Sequence, residues 1–245
     1  MNYLVLGNWK SNGDQKALTA FLAEFSPVNR ALIDGYRTGI AVPYHLIQAG
    51  DFGSAWVGAQ NVSAFPPGAY TGEITGGMLS ELGTQFGLVG HSERRHLMGE
   101  TVEQTRAKLE NLQQSGIYPI LCVGETLDER NQGRLHEVLL AQLAALDIFT
   151  KDSSFAVAYE PVWAIGTGVA ATPADVADAH RFLRETLAER GFGHVPLMYG
   201  GSVKPANAAE LAAIDDVHGF LVGGASLKAG SFGEIDRAFL EAKNL

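Results

Sequence analysis

Eight short apolar runs punctuate the chain, at residues 4–6, 40–42, 55–59, 86–89, 118–123, 155–159, 195–199 and 220–222. They are continuous rather than alternating, the pattern of parallel strands covered on both faces. Between most of them, apolar residues recur at helical spacing. Leu18, Phe21, Leu22 and Phe25 fall at i, i+3, i+4 and i+7. Leu135, Val138, Leu139, Leu143 and Leu146 keep one face, as do Val176, His180, Leu183 and Leu187, and then Phe232, Ile235 and Phe239. Thr172-Pro173-Ala174-Asp175 reads as a helix start, with a Thr N-cap, a Pro in the first turn and an acid near the positive end. Strands alternating with helices predict an α/β fold, a closed (β/α)8 barrel of eight parallel strands surrounded by helices. An open doubly wound sheet is the competing arrangement. No composition shift or Pro/Ser-rich linker divides residues 1–245, so a single barrel domain is expected.

Composition narrows the class. With 46% hydrophobic and 18% charged residues, the chain has the makings of a soluble protein with a sizeable core. A formal charge of −9 argues against broad binding to nucleic acid or to an acidic membrane, without forbidding a locally positive pocket. The single cysteine, Cys122, gives neither an intramolecular disulfide nor a zinc framework, and its place inside a strand run reads as a packed thiol. The N-terminus reads as lacking a signal peptide and no window approaches a membrane span, so a cytoplasmic protein is the expectation.

In a barrel of this type the chemistry lies where strands end. The run at 155–159 is followed at once by a lone carboxylate, Glu160, and then by Pro161, Val162, Trp163, Ala164, Ile165, Gly166, Thr167 and Gly168. A solvated loop has little reason to carry Trp and Ile unless they sometimes pack over something, so this segment reads as a base beneath a lid. After the first run come Asn8 and Lys10, either a polar turn with a solvated lysine or ligands for an anionic substrate. His91 directly follows the fourth run and opens a short helix. It is either a structural cap or a ring that the helix's positive end keeps neutral, able to donate to a substrate oxygen. Arg94 and Arg95 read as partners of local acids. The other histidines considered (His45, His136, His180, His194 and His218) carry no metal-ligand spacing. Gly200-Gly201-Ser202 and Gly223-Gly224 follow the seventh and eighth runs. Either pair alone is a tight turn; two at successive strand exits favour a phosphate cradle of backbone N–H groups. Residues 60–73 form a long loop with two prolines and the aromatics Phe65 and Tyr70, which favours insertion into a partner subunit.

Taken together, Gly7-Asn8-Trp9-Lys10, Gly68-Ala69-Tyr70-Thr71-Gly72-Glu73, Gly90-His91-Ser92-Glu93-Arg94-Arg95 and Cys122-Val123-Gly124-Glu125 resemble the triosephosphate isomerase family. So do Ala158 through Gly168, Tyr199-Gly200-Gly201-Ser202-Val203 and Leu221-Val222-Gly223-Gly224-Ala225-Ser226-Leu227, and the match runs nearly end to end. The resemblance implies a TIM barrel that interconverts dihydroxyacetone phosphate and D-glyceraldehyde 3-phosphate through an enediol(ate), in glycolysis and gluconeogenesis, with no cofactor and no metal. It implies Glu160 as base, neutral His91 as electrophile, and Asn8 and Lys10 holding the substrate and its developing oxyanion. Backbone N–H groups of Gly166, Ser202, Gly223 and Gly224 would bind phosphate, and Glu93 would organise the floor of the site. A homodimer is implied too, with Tyr70, Thr71 and Glu73 at the interface and Thr71 at the tip that reaches the neighbour. A catalytically silent phosphate-binding or scaffolding protein on the same barrel is the alternative, and it is expected to have lost Lys10, His91 or Glu160. All three are present. The chain departs from the family pattern at Ser11, at Val169-Ala170 in the second lid hinge, and at Pro196 and His218, where many members have Arg and Asp. Losing both of the last two leaves neither charge unpaired.

Overall fold

A computed structural model describes residues 2–25, 35–165 and 171–245. Each apolar run lies in a strand: β1 (Tyr3–Asn8), β2 (Tyr36–Val42), β3 (Trp56–Ala59), β4 (Phe86–Val89), β5 (Tyr118–Val123), β6 (Ala156–Tyr159), β7 (Leu197–Tyr199) and β8 (Gly219–Val222). All pair in parallel with their sequence neighbours, and β8 pairs with β1, so the expected barrel is closed. Strand periodicity explains the unbroken hydrophobicity, because successive side chains point to opposite faces and both faces are buried here. Leu4, Leu6, Leu88, Ile120, Cys122 and Met198 belong to one buried cluster, the barrel's interior. Their neighbours Val5, Val89, Leu121, Val123 and Leu197 belong to a second cluster shared with the helices. The run at 195–199 yields a strand of only three residues. Pro196 has no N–H to give to a ladder, although its carbonyl still accepts from Val157 N–H at 3.1 Å.

Among the described residues the α-helices are α1 (Gln15–Glu24), α2 (Gly76–Glu81), α3 (Ser92–Met98), α4 (Val102–Gln114), α5 (Leu127–Asn131), α6 (Leu135–Leu143), α7 (Pro173–Glu189), α8 (Pro205–Ala212) and α9 (Ala229–Lys243). The predicted start of α7 is as read: Thr172 caps Asp175 N–H, and the Asp175 carboxylate accepts the Thr172 N–H in return. Its stripe of Val176, His180, Leu183 and Leu187 is buried, as are Phe232, Ile235 and Phe239 of α9. After Leu143 the α6 helix tightens into a 3-10 turn at Ala144–Ile148, which carries Leu146 into the core. The connection from β2 to β3 contains only a 3-10 turn, Tyr44–Leu46. No helix among the described residues is long and apolar enough to cross a membrane.

Candidate active site

The strand C-termini converge on a cavity of about 400 Å³ lined by Asn8, Lys10, His91, Glu160, Ala164, Ile165, Ser202, Lys204, Gly223 and Gly224, among others. Glu160 immediately follows β6. Its N–H donates to the Val123 carbonyl at 2.7 Å, which continues the ladder one residue past the strand and fixes the backbone from which the side chain projects. The packing there is close: a Cβ on Gly124 would lie 1.8 Å from the Glu160 carbonyl oxygen. Gln142 of α6 holds Gly124 from both sides, accepting its N–H at 2.7 Å and donating to its carbonyl at 2.9 Å.

The Glu160 side chain is 2% exposed and its two oxygens have different partners. Oε2 accepts the Ser92 N–H at 3.0 Å, and Oε1 lies 3.2 Å from His91 Nε2. Ser92 opens α3, so the carboxylate uses an otherwise unpaired amide at the positive end of that helix. His91 is the N-cap of α3, as the sequence placed it, and its Nδ1 accepts the Glu93 N–H at 3.2 Å. With Nδ1 accepting, the ring proton sits on Nε2 and points into the cavity. A proton acceptor and a proton donor, both side chains buried, are thereby set side by side.

Lys10 occupies the left-handed region at φ +52°, uncommon for a residue with a Cβ. Several bonds keep it there. Asn8 Oδ1 accepts the Lys10 N–H at 3.0 Å, Gln60 Nε2 donates to the Lys10 carbonyl at 2.9 Å, and Trp9 Nε1 is tied to the Ser226 carbonyl at 3.0 Å. The ammonium reaches Glu93 Oε1 at 2.6 Å. The Glu93 side chain is 43% exposed, and this second residue of α3 is the counter-ion of Lys10.

Gly223 and Gly224 lead into a 3-10 turn, Gly224–Leu227. Their N–H groups donate to no protein acceptor among the described residues, and a Cβ on Gly224 would meet nothing within 4 Å, so this wall is open to a ligand. Ser202 lies beside them, with its carbonyl accepting from Asn207 Nδ2 at 3.0 Å. Gly166, Thr167 and Gly168 of the lid, and Val169-Ala170, lie outside the described residues. The part of the lid described, residues 161–165, contains a 3-10 turn, Val162–Ala164. Trp163 Nε1 donates to Glu125 Oε1 at 2.9 Å, and Glu125 is fully buried. Its carboxylate also accepts from Tyr159 OH at 3.1 Å and from Arg130 at 3.1 Å. Burial and then the Glu125 charge push the Tyr159 hydroxyl well above its ordinary range, so it remains a donor.

Of the two arginines, Arg94 pairs with the buried Glu100 at 2.7 Å as expected, whereas Arg95 bonds the carbonyls of Gly90 and Cys122 instead of an acid. Glu100 also takes the Lys108 ammonium at 2.5 Å and the Gly90 N–H at 3.0 Å, fixing the turn just before His91. Cys122 is buried, and burial followed by the Glu160 charge pushes its thiol up, which leaves it an unreactive packing group. Phe65 and Tyr70 stack at 4.4 Å, each 42% exposed. A second cavity of about 500 Å³, lined by Ser11, Tyr44, His45, Gln60, Glu93 and Met98 among others, adjoins the first through Asn8, Lys10 and His91.

The sequence reading missed Ser92, Glu125, Gln142 and Lys204. Ser92 was signalled by its place after His91 at a helix start; Gln142 had no local signal, since its partner is 18 residues away.

The chain also has close relatives. The family model for triosephosphate isomerase matches residues 3–239. Proteins named triosephosphate isomerase from Halorhodospira halophila and Thiobacillus denitrificans are each 44% identical to it, over 97% and 96% of this chain and 98% and 97% of their own. One from Francisella tularensis subsp. holarctica is 39% identical over 96% of both chains. With that extent of match, and with the barrel and site described above, the chain belongs to the triosephosphate isomerase family.

Proposed function

We propose that residues 1–245 act as one catalytic barrel that interconverts dihydroxyacetone phosphate and D-glyceraldehyde 3-phosphate. The observation that carries this reading is the buried Glu160 carboxylate 3.2 Å from His91 Nε2, in a cavity that also holds Lys10. Proton abstraction next to a carbonyl needs a base at the carbon and donors at the oxygen where charge develops. Glu160 takes the carbon-bound proton and becomes the neutral acid. The carbonyl oxygen gains the charge, and His91 Nε2–H and the Lys10 ammonium stabilise it as the enediol(ate) forms. The hydroxyl proton on the neighbouring oxygen is exchanged for one on the former carbonyl oxygen, His91 Nε2 giving one proton and recovering the other, and Glu160 returns its proton to the adjacent carbon, so atoms and charge balance with no redox partner. Asn8 holds the substrate and, through its Oδ1, the Lys10 backbone. Glu93 positions the Lys10 ammonium.

The N–H groups of Gly223 and Gly224, with Ser202, are the proposed phosphate cradle, and Gly166 completes it when the lid covers the site. A lid of Trp and Ile excludes water, which strengthens the dipoles around the charged intermediate and protects its phosphate from elimination. The protein works as a cytoplasmic homodimer, with the exposed Tyr70-Thr71-Glu73 segment entering the neighbour's adjoining cavity. A coupled isomerisation assay on wild type and Glu160→Gln tests the reading. Wild type turns over triose phosphate, and the variant loses about 10²–10⁴-fold in kcat. An inactive wild type, or a variant of undiminished rate, refutes it.

A further inference from the structure

The cavity's cations are not equivalent. Two lysines line it, Lys10 and Lys204. Lys10 is already neutralised in place by Glu93 at 2.6 Å, and the Glu160 carboxylate adds a further negative charge within the same walls. Lys204 forms no ion pair among the described residues and is exposed, lining the same cavity as Ser202, Gly223 and Gly224. The loop that carries it is fixed. Asn207 Oδ1 accepts the Lys204 N–H at 2.7 Å, and the same amide donates to the Ser202 carbonyl at 3.0 Å. One side chain thus sets the spacing between the cradle residue Ser202 and Lys204. A protein of net charge −9 repels a phosphorylated substrate at long range, and a local unpaired cation at the phosphate end offsets that repulsion.

We propose that Lys204 is a second phosphate-binding cation of this site, which draws the substrate's phosphate in and holds it without taking part in proton transfer. The proposal rests on the triose phosphate reading for its substrate, but the phosphate contact stands apart from the chemistry. The charge acts on encounter and binding, so its effect falls on kcat/KM through KM and fades as salt screens it.

Lys204→Gln, Lys204→Arg and, as a control of equal charge change, Lys151→Gln separate these effects. Lys151 lies in the turn before β6, at the opposite end of the barrel. At low ionic strength Lys204→Gln lowers kcat/KM by about three- to tenfold with kcat unchanged, and the gap closes near molar salt. Lys204→Arg restores most of the loss and Lys151→Gln shows none. Inorganic phosphate, titrated against the Gly223 and Gly224 amide resonances, binds correspondingly more weakly to Lys204→Gln. Wild-type kcat/KM and wild-type phosphate affinity in Lys204→Gln overturn the proposal, as does a loss confined to kcat and independent of salt. If wild type does not isomerise triose phosphates, the catalytic reading fails alone. The phosphate titration then still decides the role of Lys204, supporting it if affinity falls and overturning it if affinity is unchanged.

Discussion

Acid should loosen this barrel well before its carboxylates titrate, and His180 is one of the two causes, with His218. His180 lies on the inner face of α7, fully buried. Its Nδ1 is 3.0 Å from the Asp216 carbonyl oxygen, so Nδ1 carries the proton, and Nε2 has no partner among the described residues. Tyr159 meets the ring edge-on at 6.0 Å, and the charges of Arg184 and Lys243 further oppose a cation there. Burial above all lowers its pKa from 6.5 to about 4. The sign follows from linkage. Above pH 6.5 neither the folded nor the unfolded chain protonates this ring, and stability does not change. Below 6.5 the unfolded chain binds a proton that the folded chain refuses, so stability falls until about pH 4. At about 1.4 kcal/mol per pH unit, this single ring removes about 3 kcal/mol across the window. His218, lowered to about 4 by burial and then by Arg184, adds in the same direction. Glu100 acts lower down: although burial opposes its ionisation, its bonds to Lys108 and Arg94 hold its pKa below the ordinary value of 4.5. Urea unfolding from pH 4.5 to 7.5, at fixed protein concentration, measures the slope. His180→Leu removes the titrating group and leaves the Asp216 carbonyl without its donor, so it is less stable at pH 7 by about 1 kcal/mol or more. Its dependence on pH is nevertheless shallower. A variant that keeps the wild-type slope refutes the assignment to His180.

Two other outcomes follow from close contacts. Gly124→Ala places a methyl against the Glu160 carbonyl, displaces the base and lowers kcat about 10²-fold with little change in KM; unchanged steady-state kinetics would show that the backbone contact does not position the carboxylate. Thr71→Arg puts a long charged side chain at the exposed tip proposed to enter the neighbour. Sedimentation velocity then shows monomer in place of dimer, and a dimer of wild-type stability rules that interface out.

The fold was legible because the barrel demands two buried faces per strand, and unbroken runs such as 118–123 have no other economical explanation in a chain of this charge. Glu160, His91, Lys10 and the paired glycines were legible because strand ends and helix starts announce themselves locally. What escaped were contacts between residues distant in sequence. Nothing around Glu125 says that Trp163, 38 residues on, will bond to it, and nothing around Gln142 says that it will clasp Gly124. Arg184 is a further case: with Pro196 uncharged and burial opposing a charge on His218, the ion pair beside them is supplied from α7. Arg184 of α7 bonds Asp216 at 2.8 Å and the carbonyls of Gly193 and Val195 at 2.7 and 2.9 Å, beside His218.

The Ser92 amide sets a condition on the reaction. It donates to Glu160 Oε2 at 3.0 Å, whereas Oε1 rests 3.2 Å from His91 Nε2 as a close contact and not as an aligned hydrogen bond. The Nε2–H proposed to act on a substrate oxygen is therefore not committed to the carboxylate. A base that is to reach carbon must instead swing about the Ser92 amide or exchange it. A carboxylate bound only to solvent would need no such exchange, and would face the cost of losing its water instead.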